Sequence, residues 1–172
     1  MNSAQGRVIW ITGLSGAGKT TLARTLLPML PIPVLWYDGD NIRKALASVA
    51  GGYSRGERLQ LAYASANLCK LAAEQGLTVV CSIMALFHEI QLWNRKNQPG
   101  YFEIFLDMPE EIRFARDYKK VYQAPKNGEG TPVVGRHIVA EVPLSPDLYL
   151  IDHRLTTDQQ AVLVLNALTD LR

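Results

Sequence analysis

The stretch Gly13-Leu14-Ser15-Gly16-Ala17-Gly18-Lys19-Thr20 constrains this chain more than any other feature. It fits G-x-x-x-x-G-K-[ST] in full. The apolar run Val8–Thr12 precedes it and a helical pattern follows from Lys19. Glycines permit a tight backbone ring whose N–H groups converge on phosphate oxygens. The helix N-terminus that follows adds positive potential at the same place. Lys19 supplies a mobile point charge for β- and γ-phosphates. Thr20 can place its hydroxyl on Mg²⁺, which also takes phosphate oxygens and water. Gly13, Ser15, Gly16, Ala17, Gly18, Lys19, Thr20 and Thr21 are therefore candidate contacts to ATP or GTP. Lys19 is also a catalytic candidate, and Thr20 the candidate metal ligand.

The rest of the chain alternates in the same way. Strands are expected at Val34–Tyr37, Leu77–Ser82, Tyr101–Asp107 and Leu148–Ile151. Helices are expected at Lys19–Leu30, from Asp40 or Asn41 as cap to Ser48, Ser54–Gln75, Phe87–Lys96, Glu110–Tyr118 and Thr157–Leu171. Ser54 with Glu57 reads as a capping box, and Gly76 as a stop. The long helix should bury Leu61, Ala64, Leu68, Leu71 and Ala72. Strands alternating with helices imply a parallel sheet covered on both faces, with ligands beyond the carboxyl ends of the strands. The expected fold is α/β: a P-loop nucleotide-kinase-like, three-layer α/β/α domain over residues 1–172, with five mainly parallel strands and a basic lid at about 119–142.

Composition excludes other classes. The apolar fraction of 48% is too high for a disordered chain. No apolar run reaches the ~18–20 residues of a membrane span, and the N-terminus carries no secretory pattern. Cys69 and Cys81 form no metal or redox motif, and buried, reduced thiols in a cytoplasmic protein are expected. A net charge of +2 argues against broad nucleic-acid binding. His88, His137 and His153 show no ligand spacing. Trp10, Trp36 and Trp93 are expected as core or site wall.

Asp38-Gly39-Asp40-Asn41-x-Arg43 lies one crossover from the phosphate loop. Phosphoryl transfer to a hydroxyl needs a carboxylate to orient it and take its proton. Asp38 is the candidate base, and Asp40 orients the acceptor or the metal's water shell. Arg43 and Arg58 are candidate clamps for an anionic acceptor, because a guanidinium pairs bidentately. The same tetrapeptide also reads as a turn with a helix cap. Residues 113–136 hold six basic and two acidic side chains in a Gly/Pro-rich context, which reads as a lid over polyphosphate or as a solvated loop. Asp107, at a strand end, is left out of the metal site. No Asn-Lys-x-Asp guanine-reading motif is present, which disfavours a regulatory GTPase. Lys19, Thr20, Asp38 and Asp40 are all present, which argues against a non-catalytic nucleotide-binding module.

Together these residues resemble the adenylylsulfate kinase family, from Ile9 to about Leu150. The resemblance rests on the phosphate loop, Asp38-Gly39-Asp40-Asn41-x-Arg43 and Gly52-Tyr53-Ser54 with Arg58. It extends to Arg116-Asp117-x-Lys119-x-x-Tyr122, Gly135 and Glu141-x-Pro143-x-x-Pro146-Asp147-Leu148. It implies ATP with Mg²⁺, a homodimer, and transfer to the 3′-hydroxyl of adenosine 5′-phosphosulfate. Asp40, Asn41, Arg43, Tyr53, Arg58 and Lys119 would then bind the acceptor, and Arg116 the ATP. The chain departs from the family pattern at Leu61 (an Asn in the family), Ala85 (a Ser) and Val133 (an aromatic that stacks on the acceptor's adenine). Met84-x-x-Phe87-His88-Glu89 and Trp93-Asn94-Arg95-x-Asn97 resemble a branch of surface-polysaccharide pathways that includes cytidine diphosphoramidate kinase. Phe87, Trp93 and Arg95 then form a different acceptor wall, or simply one packed face of a helix. At 172 residues, room is expected for the kinase core and lid and none for a fused sulfurylase domain.

Overall fold

Among the described residues, five parallel strands in the order β2-β3-β1-β4-β5 set the frame. The computed structural model describes residues 6–31, 33–50, 52–116 and 132–170. Along the chain run β1 (Arg7–Gly13), α1 (Lys19–Leu26), β2 (Val34–Asp38), α2 (Gly39–Ala45), α3 (Ala47–Ala50) and α4 (Arg55–Glu74). Then come β3 (Thr78–Ser82), α5 (His88–Asn97), β4 (Phe102–Leu106), α6 (Glu110–Ala115), β5 (Leu148–Leu150) and α7 (Thr157–Thr169).

The central strand β1 shows why the sheet needs cover on both sides. Ile9 and Ile11 enter one core with Leu22 and Leu26 of α1 and Val164 and Leu168 of α7. Val8 and Trp10 enter the other with Ala62, Ala66 and Cys69 of α4 and Ile90 of α5. Alternate residues thus bury against different helices, which is why the strand reads as an unbroken apolar run. Each such buried side chain stabilises the fold by roughly 1.5–3 kcal/mol relative to exposure. Register then brings the functional ends level: Gly13 lies beside Leu106, and Asp38 beside Ser82.

The expected strands and helices are present among the described residues, with four corrections. The helix expected to reach Ser48 stops at Ala45, and Ala47–Ala50 form a separate α3. α1 ends at Leu26, and Leu27–Met29 tighten into a 3₁₀ turn around Pro28. Proline cannot donate to the α-helical ladder, so the pattern to Leu30 breaks early. Asp38 caps α2, not Asp40 or Asn41, because its carboxylate accepts the Asp40 N–H. The buried stripe of α4 comprises Leu61, Ala62, Ser65, Ala66, Cys69, Ala72 and Ala73, whereas Leu68 and Leu71 are exposed. A helix lying close on a sheet selects small side chains there, and apolarity alone missed that. The Ser54–Glu57 capping box forms as expected. Asp117, Tyr118 and residues 119–131 of the expected lid lie outside the described residues. Cys69 and Cys81 are buried free thiols, and burial pushes the Cys81 thiol well up. No helix among the described residues is long and apolar enough to cross a membrane.

Candidate active site

The phosphate loop turns where β1 meets α1. Gly13 and Gly16 hold positive φ angles of 152° and 78°. A Cβ at Gly13 would stand 2.6 Å from the Leu106 carbonyl oxygen, and one at Gly16 2.7 Å from that of Arg113. Both positions therefore exclude a side chain. Gly18 is the N-cap of α1 and has no side chain to cap it, and the helix N-terminus points its positive end at the loop. Lys19 Nζ donates to the Leu14 carbonyl at 2.9 Å and so lies along the loop. Ser15 is half-buried, Ala17 is buried under the ring, and Thr21 is exposed in the first turn of α1. Arg116 reaches over the loop, its Nη1 3.9 Å from where a Gly18 Cβ would lie.

The acidic loop meets this ring through one carboxylate. Asp38 is only 7% exposed. Its Oδ2 accepts from the Thr20 hydroxyl at 2.8 Å and from the Ser82 hydroxyl at 3.0 Å. Its Oδ1 accepts from the Asp40 N–H at 3.1 Å. Ser82 in turn accepts from the Trp36 indole N–H at 3.0 Å. Hydrogen bonds to a charged group are worth about 1.5–3 kcal/mol each, so this carboxylate is firmly fixed. Asp40 and Asn41 are exposed in the first turn of α2. Among the described residues, no cluster of three or more His, Cys, Asp or Glu could hold a metal. The uncapped helix end, the glycine ring and the Thr20–Asp38 pair fit a nucleoside triphosphate with Mg²⁺.

A second group faces the same end of the sheet. The Arg43 and Arg58 guanidiniums lie 4.6 Å and 5.2 Å from the centre of the Tyr53 ring. Arg58 Nε donates to the Tyr53 carbonyl at 2.9 Å, and its Nη2 donates to the Pro132 carbonyl at 2.7 Å. Arg43 Nη1 bonds the Gly52 carbonyl. Burial, and then the neighbouring Arg43 charge, lower the Arg58 pKa. Two cations held on one exposed ring repel, and a bound anion relieves that repulsion.

The departures from the family pattern turn out to be packed positions. Leu61 is buried with Ile42, Tyr37 and Leu46. Ala85 and Val133 are buried too. Phe87, Trp93 and Arg95 make separate packing and ion-pair contacts. Phe87 and Ile90 are buried, and Trp93 packs edge-on against Tyr63 at 5.9 Å. Arg95 pairs with Asp147 at 2.6 Å and Glu103 at 3.4 Å, beside the start of β4 and away from the phosphate loop. Arg113 is buried under the loop, its Nε on the Met108 carbonyl at 3.0 Å, and does not act as a lid cation. Lys119 lies outside the described residues. Sequence reasoning missed the Ser82 contact, although a polar residue ending an apolar strand was its signal.

The model of the adenylylsulphate kinase family matches residues 5–151. The chain belongs to that family. Its curated relatives include the cytidine diphosphoramidate kinase of Campylobacter jejuni subsp. jejuni serotype O:2, 34% identical over 139 residues, covering 79% of this chain and 81% of that one. The adenylyl-sulfate kinase of Chloroflexus aurantiacus is 36% identical over 148 residues, covering 84% of this chain and 79% of that one. Among solved structures, the Mycobacterium tuberculosis APS kinase in complex with AMPPNP and APS superposes with a TM-score of 0.86 at 30% identity, covering 96% and 98% of the two chains. Membership makes this chain a kinase of an α/β P-loop fold.

Proposed function

We propose that this chain is an ATP- and Mg²⁺-dependent kinase that phosphorylates a hydroxyl of a nucleotide-like, anionic acceptor, adenosine 5′-phosphosulfate at its 3′-hydroxyl first. The observation that carries the reading is the Thr20–Asp38 contact, which joins the phosphate loop to the acidic loop at 2.8 Å. When bound, Mg²⁺ neutralises charge on the β- and γ-phosphates. Thr20 is its protein ligand, and Asp38 orients that hydroxyl. The loop N–H groups and Lys19 bind the phosphates, and Lys19 stabilises charge on the transferring group. Arg116 lies on the nucleotide side. Arg43 and Arg58 hold the acceptor's anionic group, Tyr53 offers it a ring, and Asn41 and Lys119 complete the acceptor contacts.

The base is reassigned within this proposal. All three donors on Asp38 compete with a substrate hydroxyl for its lone pairs. Asp40, exposed two residues further on, is the better placed proton acceptor. A homodimer in the cytoplasm belongs to the same reading, and light scattering tests its first part.

One observation favours a second acceptor, of the cytidine diphosphoramidate type. Leu61, Ala85 and Val133 are buried and apolar, and offer an adenine neither a second ring nor a polar side chain. Losing a stacking ring costs about 1–3 kcal/mol. A transfer screen with γ-labelled ATP against adenylylsulfate, cytidine diphosphoramidate and plain nucleotides decides between them. Labelled adenylylsulfate supports the first reading. Label on the cytidine compound alone supports the second, and no labelled acceptor defeats both.

A further inference from the structure

The return segment 132–142 touches both halves of the site. At one end Pro132 accepts from Arg58 of the acceptor cluster at 2.7 Å. In its middle the Gly135 turn rests on Leu14 of the phosphate loop, where an added Cβ would approach Leu14 Cδ2 to 3.1 Å. At the other end Glu141 joins two helix starts. Its Oε1 accepts from Arg55 Nη2 of α4 at 2.9 Å, and its Oε2 accepts from the His88 N–H of α5 at 2.6 Å. No side chain from α5's own cap residue serves that helix, so Glu141 does so from 53 residues away. Main-chain bonds reinforce the join. The Glu141 N–H donates to the Leu86 carbonyl at 3.0 Å, and Gln91 Nε2 donates to the Glu141 carbonyl at 2.7 Å. The two α4 arginines stand one turn apart, on neighbouring positions of the helix surface. One holds each end of residues 132–141.

We propose that Glu141 is a positioning residue for phosphoryl transfer: it pins the return segment to the first turns of α4 and α5, and so sets the acceptor arginine Arg58 against the phosphate loop. The proposal rests on the kinase reading for its kinetic consequence and on geometry alone for its structural one. The Arg55 charge and the α5 N-terminus both favour a carboxylate at this place over a neutral amide.

Two readouts test it. Hydrogen exchange of peptides covering 132–142, without any substrate, should quicken by about tenfold in Glu141→Ala and in Arg55→Gln, since local opening sets that rate. In the kinase assay both variants should raise the acceptor KM and lower kcat by about tenfold, as misplacement far from the chemistry does. Affinity for a non-hydrolysable ATP analogue should stay within about twofold, because the loop is untouched. The double variant should be no worse than Glu141→Ala alone, because that single change already removes the Arg55–Glu141 pair. If Glu141→Ala fails to fold, Glu141→Gln and Arg55→Gln carry the test, since glutamine keeps an acceptor for His88 but loses the charge. Unchanged exchange in 132–142 overturns the proposal. So does a lower Tm with unaltered kcat and KM. A wild-type enzyme that labels no nucleotide acceptor defeats the kinase reading instead, and leaves the exchange result standing.

Discussion

The donor half and the acceptor half of the proposed site are built on different principles. The donor half is local: eight consecutive residues make the phosphate loop, and Asp38 joins it from the neighbouring acidic loop through one 2.8 Å contact. The acceptor half is assembled from afar. Arg43 comes from α2, Tyr53 from the turn before α4, Arg58 from α4, and Pro132 from the return segment. A loop whose job is backbone N–H geometry tolerates little change, since a Cβ at Gly13 or Gly16 would meet backbone at under 3 Å. A wall made of side chains can exchange them one by one. In the proposed acceptor half, Leu61, Ala85 and Val133 stand where the family resemblance expects an Asn, a Ser and an aromatic, and all three are buried.

Breaking the donor half should have the largest effect. Lys19→Ala lowers transfer by at least ~10²-fold through lost charge stabilisation, measured as kcat/KM with labelled ATP. Asp40→Asn follows at about 10²-fold in kcat, with ATP-analogue affinity retained, as loss of a general base predicts. Asp38→Asn should instead raise the Mg²⁺ concentration needed for half-maximal rate. That contrast separates the two carboxylates.

Ser82→Ala is milder, at about tenfold in kcat, because it loosens Asp38 without touching substrate. It leaves the Trp36 indole N–H without its acceptor, so the intrinsic fluorescence should change as well. The smallest effect lies outside both halves. Burial raises Glu103 to about 7, and Asp147 adds to the rise, while Arg95 and the Tyr101 hydroxyl oppose it. A carboxyl that holds its proton more tightly when folded stabilises the fold at low pH, and that stability is lost as pH rises from about 4.5 through 7. Tm should therefore decline across that window, and Glu103→Gln should flatten the decline.

Much of this was legible from the chain alone, for a physical reason. The phosphate loop, the Ser54–Glu57 box and the alternation of strands with helices are encoded within a few residues of one another. So were the acidic loop and the two acceptor arginines, as residue types. Their arrangement was not. Asp38 became the cap of α2 and the partner of Thr20 because strand register sets it beside Ser82, a long-range fact. Leu68 and Leu71 misled because helix-to-sheet distance, not apolarity, selects the buried stripe of α4. The spacing of Phe87, Trp93 and Arg95 does not say that Trp93 meets Tyr63 or that Arg95 pairs with Asp147 and Glu103, 52 and 8 residues away. Glu141 stood in a recognisable motif, yet its partners Arg55 and His88 lie 86 and 53 residues away.

The separation of the halves is tested most directly in Arg43→Ala, by measuring ATP-analogue affinity and acceptor KM on the same preparation. Loss of one clamp should raise the acceptor KM by about tenfold or more, the worth of a charge-assisted hydrogen bond, and leave ATP-analogue affinity within about twofold. A parallel loss of both affinities, or an unchanged acceptor KM, would contradict the account.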